Sequence, residues 1–215
     1  MIFIKKSSAP DKLVAYLQQP HSPDFNALDS DVKDAIRESL ISEQCYLCAY
    51  CNSRISIEST RIEHFVPQSD PVHGTDLALD YSNMLLSCDT SNLEEAKTCD
   101  DFKGNKLLPI SPLKKSDMET ISYSKDGTIR SSNPEYDKAL NKVLNLNTSQ
   151  LKRNRKAAWE EAVNLLSRRC NRGAWDASKI RKYLERTTTP DQEGRLPEYC
   201  GIIRYFLSQR LNRDV

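Results

Sequence analysis

The chain has 215 residues, of which 38% are hydrophobic and 28% are charged, with a formal net charge of +1. This composition is typical of a globular protein, and it excludes a polycation and a chain built around a membrane span, because no apolar run approaches the roughly 18 residues that such a span needs. In the N-terminal stretch MIFIKKSSAP the lysines follow a short apolar run, the reverse of a secretory signal, so we expect a cytoplasmic protein without membrane contact.

The first 44 residues predict an N-terminal helical segment. A mixed, proline-containing stretch covers residues 1–29, and Ser30 is placed to cap the helix that follows. The apolar residues of that helix recur every three to four positions, so one of its faces is expected to be buried. These residues are Val32, Ile36, Leu40 and Ile41.

Residues 45–112 form a region of a different kind, which combines cysteines, two of the three histidines and short apolar runs. The alternation in TRIEHF predicts a strand, whereas DYSNMLLSC predicts a short helix, or a helical turn, that runs into a loop. The apolar content of this region is low for a self-sufficient core. We therefore expect a bound metal ion to contribute to its folding.

The seven cysteines, an odd number in a chain without an export signal, argue against a disulfide framework. Cys48 and Cys51 have the C-x2-C spacing that lets two thiolates of one turn bind the same tetrahedral ion, and Cys88 and Cys99 are the best candidates to complete a zinc site. The alternative is four ordinary reduced cysteines, which are commonly buried. Of the other three cysteines, Cys45 is assigned to the end of a helix, and Cys170 and Cys200 are assigned to apolar helix faces.

Residues 113–215 predict a mainly helical region. KDGT at 125–128 predicts a hairpin turn, and helices are expected at 134–145, 176–186 and 197–211. A further helix carries a stripe at Leu151, Arg155, Trp159, Val163, Leu166 and Cys170. Residues 151–182 have a local net charge of +7, which indicates a surface for nucleic acid or a partner protein, or simply a solvated helical face.

Four short motifs follow one another in the middle third of the chain, and together they resemble the HNH endonuclease family. Each motif is weak alone, but four in order are specific. They are Cys48-Ala49-Tyr50-Cys51, Glu63-His64-Phe65-Val66-Pro67, Asn83-Met84-Leu85-Leu86-Ser87-Cys88 and Cys99-Asp100-Asp101-Phe102-Lys103.

The longer stretches EQCYLCAYC, RIEHFVP, LDYSNMLLSCD and CDDFKGNKLLPISP are similar to the PtuB-like members of this family. That resemblance implies a nuclease that acts on DNA in bacterial antiphage defence, beside a PtuA-like ABC-type ATPase in Septu systems or a retron reverse transcriptase and its DNA product. The sequence has no G-x4-G-K-[ST] stretch, so any ATP dependence is expected to come from the partner.

Phosphodiester hydrolysis needs an activated water and a cation for the developing charge. A neutral His64 is suited to be the general base, and Glu63 and Asp100 are the expected oxygen ligands of a Mg²⁺ or Mn²⁺ ion. The resemblance implies that Asn83 orients His64, and Lys103 is expected to contact phosphate. Many family members have histidine where this chain has Asp100, and an aspartate there favours a hard ion.

Several of these assignments have structural alternatives. Glu63 could pair with Arg61 instead of a metal ion, Asp100 could cap a helix, and Asp101 could replace Asp100 if the register shifts by one. His73 is a weak candidate for metal or substrate contact, and His21 has no expected role.

The predicted fold is α+β, mainly helical, with a small zinc-stabilised ββα-metal core at residues 45–112. Functions other than a nuclease also remain open for this fold. They are a non-catalytic zinc module that binds nucleic acid and an adaptor that regulates the ATPase.

Overall fold

The computed structural model describes residues 1–20, 24–91, 96–168 and 175–213. The predicted α+β class is confirmed, since helices dominate and the strands form two antiparallel pairs. The helices are α1 Asp11–Leu17, α2 Ser30–Glu43, α3 Gly74–Leu77, α4 Cys99–Lys103, α5 Lys115–Glu119, α6 Pro134–Lys142, α7 Ser149–Arg168, α8 Ala177–Arg186 and α9 Cys200–Arg213. The strands are β1 Thr60–His64, β2 Met84–Cys88, β3 Ile121–Tyr123 and β4 Ile129–Ser131, and short 3-10 helices cover Ile57–Ser59 and Tyr81–Asn83.

The predicted N-terminal helix is α2, and its apolar stripe faces the core. Val32, Ile36, Leu40 and Ile41 are all buried. The helix begins at Ser30, but Asp29 holds the cap position and neither side chain makes a capping hydrogen bond. Burial of the stripe, rather than capping, therefore accounts for this helix.

The strand β1 was predicted correctly, but the assignment of DYSNMLLSC was wrong in its second half. Tyr81–Asn83 is a 3-10 turn, and the chain then continues as β2, which pairs with β1 so that Glu63 faces Leu85 and His64 faces Met84. Met84 and Leu85, on opposite faces of β2, are both fully buried. A strand covered on both faces reads as a continuous apolar run, which periodicity does not separate from a buried helical turn.

The KDGT turn is confirmed as the connection between β3 and β4, which pair from Ile121 with Ser131 to Tyr123 with Ile129. Gly127 has a φ of +88°, and a Cβ there would lie 2.0 Å from the Lys152 carbonyl oxygen. Only glycine fits both the backbone conformation and the approach of α7.

The C-terminal helices fall close to the predicted ranges, and α9 packs against β3, α7 and α8. Cys200 is fully buried, as expected, whereas Cys170 lies outside the described residues. One residue counted in the basic stretch, Arg155, is buried in the core rather than exposed.

The core is shared between the middle and C-terminal regions. One cluster of buried apolar residues extends from Met1 to Leu207. The backbone N–H of Tyr199 also donates to the carbonyl oxygen of Asn52, and Arg54 donates to the carbonyl oxygen of Leu196 at 2.6 Å. The cysteine-containing turn is thus held by residues almost 150 positions away.

Among the described residues, the structure contains no helix with both the length and the apolar character needed to cross a bilayer.

Candidate active site and zinc centre

The four predicted zinc ligands come together in one cluster. The sulfur atoms of Cys48, Cys51, Cys88 and Cys99 all lie within 4.8 Å of one another, and three of the four residues are buried. The Cys48 and Cys99 sulfurs are 3.8 Å apart, as are those of Cys51 and Cys88. Four sulfurs placed about 2.3 Å from a tetrahedral zinc ion are separated by about 3.8 Å, so the cluster has the dimensions of a zinc site.

Each ligand is positioned by local backbone structure. Cys48 and Cys51 lie on a tight turn that the Leu47–Arg54 bridge closes, and Asn52 follows with a φ of +63°. Cys88 ends β2, and Cys99 begins α4 with a φ of +56°. Cys45 lies at the end of α2, outside the cluster, as predicted.

The electrostatics of the thiols also favour a cation. Burial raises the pKa of the Cys48 thiol. Hydrogen bonds with Cys51, Cys88 and Cys99 outweigh this effect and hold the pKa well below its ordinary value. Hydrogen bonding to Cys48 and Cys51 raises the pKa of both Cys88 and Cys99. The Cys48 thiolate therefore forms readily, whereas Cys88 and Cys99 resist ionisation beside a negative charge. A bound Zn²⁺ ion removes that repulsion.

The predicted pair of carboxylates is also brought together. The Glu63 side chain is buried, and its Oε1 accepts hydrogen bonds from the Tyr50 hydroxyl at 2.9 Å and from Lys103 Nζ at 2.7 Å. Burial and the adjacent Asp100 carboxyl raise the pKa of Glu63 to about 9, while Lys103 opposes this rise. A buried carboxyl beside a half-buried one creates a site with a strong preference for a cation.

Lys103 is placed differently from the expectation of a phosphate contact. It is 1% exposed, and besides Glu63 it donates to the backbone oxygens of His64 at 3.2 Å and Gly104 at 3.4 Å. Its observed partners are all protein oxygens. Contact with a phosphate stays a prediction, and it would require the ammonium group to leave this position.

The His64 ring lies on the other face of β1 from the Glu63 carboxylate, as the alternation of a strand requires. Its Nε2 is 2.9 Å from the carbonyl oxygen of Ala78, and its Nδ1 is 3.3 Å from the Gln68 amide nitrogen. A carbonyl oxygen only accepts, so Nε2 carries the proton and Nδ1 keeps its lone pair. Burial lowers the pKa of His64, outweighing the hydrogen bond to Ala78, so the neutral ring is favoured.

Asn83 fixes the loop around His64. Its side chain accepts from the N–H of Val66 at 2.8 Å and donates to the oxygens of Val66 at 3.0 Å and Leu77 at 3.1 Å. Leu77 directly precedes Ala78, whose carbonyl oxygen holds the His64 ring. The structure is thus consistent with the orienting role predicted for Asn83.

The structural alternatives considered for the acidic residues can be compared with the observed contacts. Arg61 pairs with Asp89 and Asp101, each at 3.3 Å, and not with Glu63. Asp101 also accepts a hydrogen bond from the Thr90 hydroxyl at 2.8 Å. Asp101 is therefore a structural residue in this arrangement, and Asp100 is the one that faces Glu63.

Residues of β1 and α4 line one cleft of about 420 Å³. Glu63, His64, Gln68, Asp100 and Lys103 contribute to its lining. Two carboxylates are fewer ligands than a closed metal site has, but Mg²⁺ is usually held by one or two carboxylates, with water and phosphate oxygens completing its shell. The donor set therefore fits a catalytic Mg²⁺ or Mn²⁺ ion.

Three side chains of the site were not predicted. Phe25 packs edge-on against His64, with ring centroids 4.5 Å apart. Gln68 contacts His64, and Tyr50 contacts Glu63. Tyr50 had a weak signal, because it lies inside the C-x2-C motif. Nothing local in the sequence connects Phe25 to the site.

A comparison with known proteins yields one curated relative. The chain is 29% identical over 177 residues, 77% of this chain and 86% of the relative, to a protein named as a candidate HNH endonuclease of retron Vc95 from Vibrio cholerae serotype O1 biovar El Tor. The resemblance to the HNH endonucleases is thereby confirmed. No family model matches the chain. An HNH-like chain with a cysteine cluster beside a carboxylate–histidine cleft has the parts of a nuclease of this kind.

Proposed function

We propose that the protein is a metal-dependent HNH endonuclease that hydrolyses phosphodiester bonds of DNA. The observation that carries the proposal is one cleft whose lining includes Glu63, His64 and Asp100. The curated relative, a candidate HNH endonuclease, supports the same reaction class.

His64 is the general base of this reaction. Its Nε2–H donates to the Ala78 carbonyl oxygen, so Nδ1, which accepts from the Gln68 amide, carries the lone pair that takes the proton of the attacking water. The lowered pKa keeps the ring neutral near pH 7, which is the form that accepts a proton. The attacking water therefore replaces the Gln68 amide, at 3.3 Å, as the partner of Nδ1.

Glu63 and Asp100 would hold the catalytic ion, which would supply positive charge for the scissile phosphate and the leaving oxygen. Tyr50 and Lys103 fix the Glu63 carboxylate from two sides. Asn83 keeps the loop that carries the His64 acceptor in place. The chain's own residues thus position the base and the ion-binding oxygens on opposite faces of β1.

The test is cleavage of supercoiled plasmid and phage DNA with Mg²⁺ or Mn²⁺ by wild type and His64→Ala. Loss of the base is expected to slow cleavage by about 100-fold or more. His73→Ala is the matched control, because His73 is exposed and lies outside the cleft. Equal cleavage by wild type and His64→Ala, at unchanged zinc content, would assign the activity to another site or to a contaminant.

The biological setting belongs to the same proposal. We assign the protein to antiphage defence, beside an ABC-type ATPase and in a retron context, and the retron in the relative's name supports the last point. The assay is therefore run with each protein alone and co-purified with an ATPase encoded beside it. Phage survival then separates a nuclease from an adaptor, because a pure adaptor keeps its protection in the His64→Ala variant.

A further inference from the structure

Arg155 is a buried cation on α7. It is 2% exposed, and its guanidinium donates to the carbonyl oxygens of Gly127 at 2.6 Å and Leu146 at 2.5 Å, and to Asn147 Oδ1 at 3.2 Å. All three acceptors are neutral. Its Nη1 has no hydrogen-bond partner.

Such a charge is costly to bury without an opposite charge nearby. Within the part of the chain that the structure describes, no carboxylate forms an ion pair with Arg155. The groups that favour its charged form are the side chains of Tyr123, Cys51, Tyr199 and Cys99. Burial raises the pKa of both tyrosines, so they stay neutral, and of these four groups the cysteines are the ones that can become negatively charged.

The cysteine cluster has the charge that Arg155 lacks. Four thiolates around one Zn²⁺ ion carry a net charge of −2, and this centre is enclosed by protein. A short loop connects the two sites, because the Cys99 N–H donates to the Leu144 carbonyl oxygen at 2.9 Å and Arg155 binds the Leu146 carbonyl oxygen of the same loop.

We propose that Arg155 is the buried counter-cation of the zinc–thiolate centre, and that α7 thereby contributes to zinc retention. Arg155 acts on the centre through charge and through the loop at residues 144–147, without binding the ion. The zinc-loaded protein then has a compensated pair of buried charges, whereas the zinc-free protein has an uncompensated guanidinium. The proposal concerns the zinc centre and does not depend on nuclease activity.

The first measurement is the zinc dissociation constant of Arg155→Met and Arg155→Lys, by competition with a chelator of known affinity. Loss of an outer-shell partner commonly weakens metal binding by about 10-fold or more, and we expect this for Arg155→Met. Arg155→Lys keeps the charge and is expected to recover most of the affinity. Lys156→Met, an exposed charge change at the next residue, is the control and should leave zinc binding unchanged.

A purely structural role would also weaken zinc binding, because binding is coupled to folding. The charge is isolated in a Cys88→His background, which keeps four ligands but lowers the magnitude of the centre's charge from −2 to −1. There we expect the Arg155→Met penalty to shrink by at least about threefold. An undiminished penalty, or equal losses for methionine and lysine, would overturn the proposal. If Arg155→Met does not fold, Arg155→Gln, which is neutral and retains a hydrogen-bond donor, replaces it in both backgrounds, with the same expected and overturning results.

Discussion

The sulfur cluster and the carboxylate cluster are neighbours, and the short helix α4 contributes residues to each. Cys99 belongs to the zinc centre, and Asp100, the next residue, faces Glu63 in the cleft. Asp101 binds Arg61 and Thr90, and Lys103 binds Glu63. Two candidate metal sites of different chemistry thus have ligands joined by one peptide bond.

The two clusters differ in completeness as well as in ligand type. The zinc centre has four soft sulfur ligands and is closed, which is typical of a structural site. The cleft offers two hard oxygen ligands and leaves room for phosphate and water. In the proposed function, the first site fixes the shape of the second, and the second performs the chemistry.

The largest expected effect comes from breaking the closed site. Cys99→Ser removes a buried ligand, and because zinc binding is coupled to folding we expect loss of zinc, of a cooperative unfolding transition and of DNA cleavage together. Metal content and thermal unfolding measure this. Cys45→Ser is the control, since Cys45 lies outside the cluster and should change neither quantity. A Cys99→Ser protein with full zinc content would show that three cysteines suffice.

The next prediction compares two adjacent aspartates, one of which is expected to affect the rate of cleavage and the other the free energy of unfolding. Asp100→Asn removes one of two ion-binding carboxylates, and we expect about 100-fold slower cleavage at unchanged zinc content, since a metal ion supplies several kcal/mol to such reactions. Asp101→Asn loses the pairing with Arg61, and we expect an unfolding free energy lower by about 1–3 kcal/mol with cleavage retained. The reverse result would assign the ligand role to Asp101.

Much of both clusters was predictable because the signals are local. The C-x2-C spacing, the Glu63-His64 pair on an alternating strand and the Cys99-Asp100 pair each place a ligand within a few residues of a recognisable motif. The buried apolar stripe of α2 could be predicted for the same reason. The spacing of residues within a short motif can be read directly from the sequence, without knowing how the rest of the chain folds.

Contacts made across long sequence distances were not predictable. Phe25 reaches His64 from the N-terminal region, and Arg155, although it lies on the predicted stripe, finds its carbonyl partners at Gly127 and Leu146, outside its own helix. The strand β2 was missed because both of its faces are covered, and strand alternation is absent from a sequence buried on both sides. Such features depend on which elements pack together, and a single sequence does not specify this.

Tyr50 connects the sulfur cluster and the carboxylate cluster, so its substitution tests how far the second depends on the first. It lies between Cys48 and Cys51 on the zinc turn, while its hydroxyl donates to Glu63 Oε1 at 2.9 Å. Burial and the Glu63 carboxylate raise the pKa of Tyr50 well above its ordinary value, so the hydroxyl keeps its proton and remains a donor.

Tyr50→Phe should therefore give the smallest effect of the series. The ring still fills its buried place, and only one hydrogen bond to Glu63 is lost, so we expect an unfolding free energy lower by about 1 kcal/mol and unchanged zinc content. Cleavage should slow by less than about tenfold, because Lys103 still holds the carboxylate. Zinc content, thermal unfolding and plasmid cleavage measured on one preparation test this. A fall in zinc content with cleavage per zinc-loaded molecule unchanged would mean that Tyr50 supports the sulfur cluster rather than orienting Glu63.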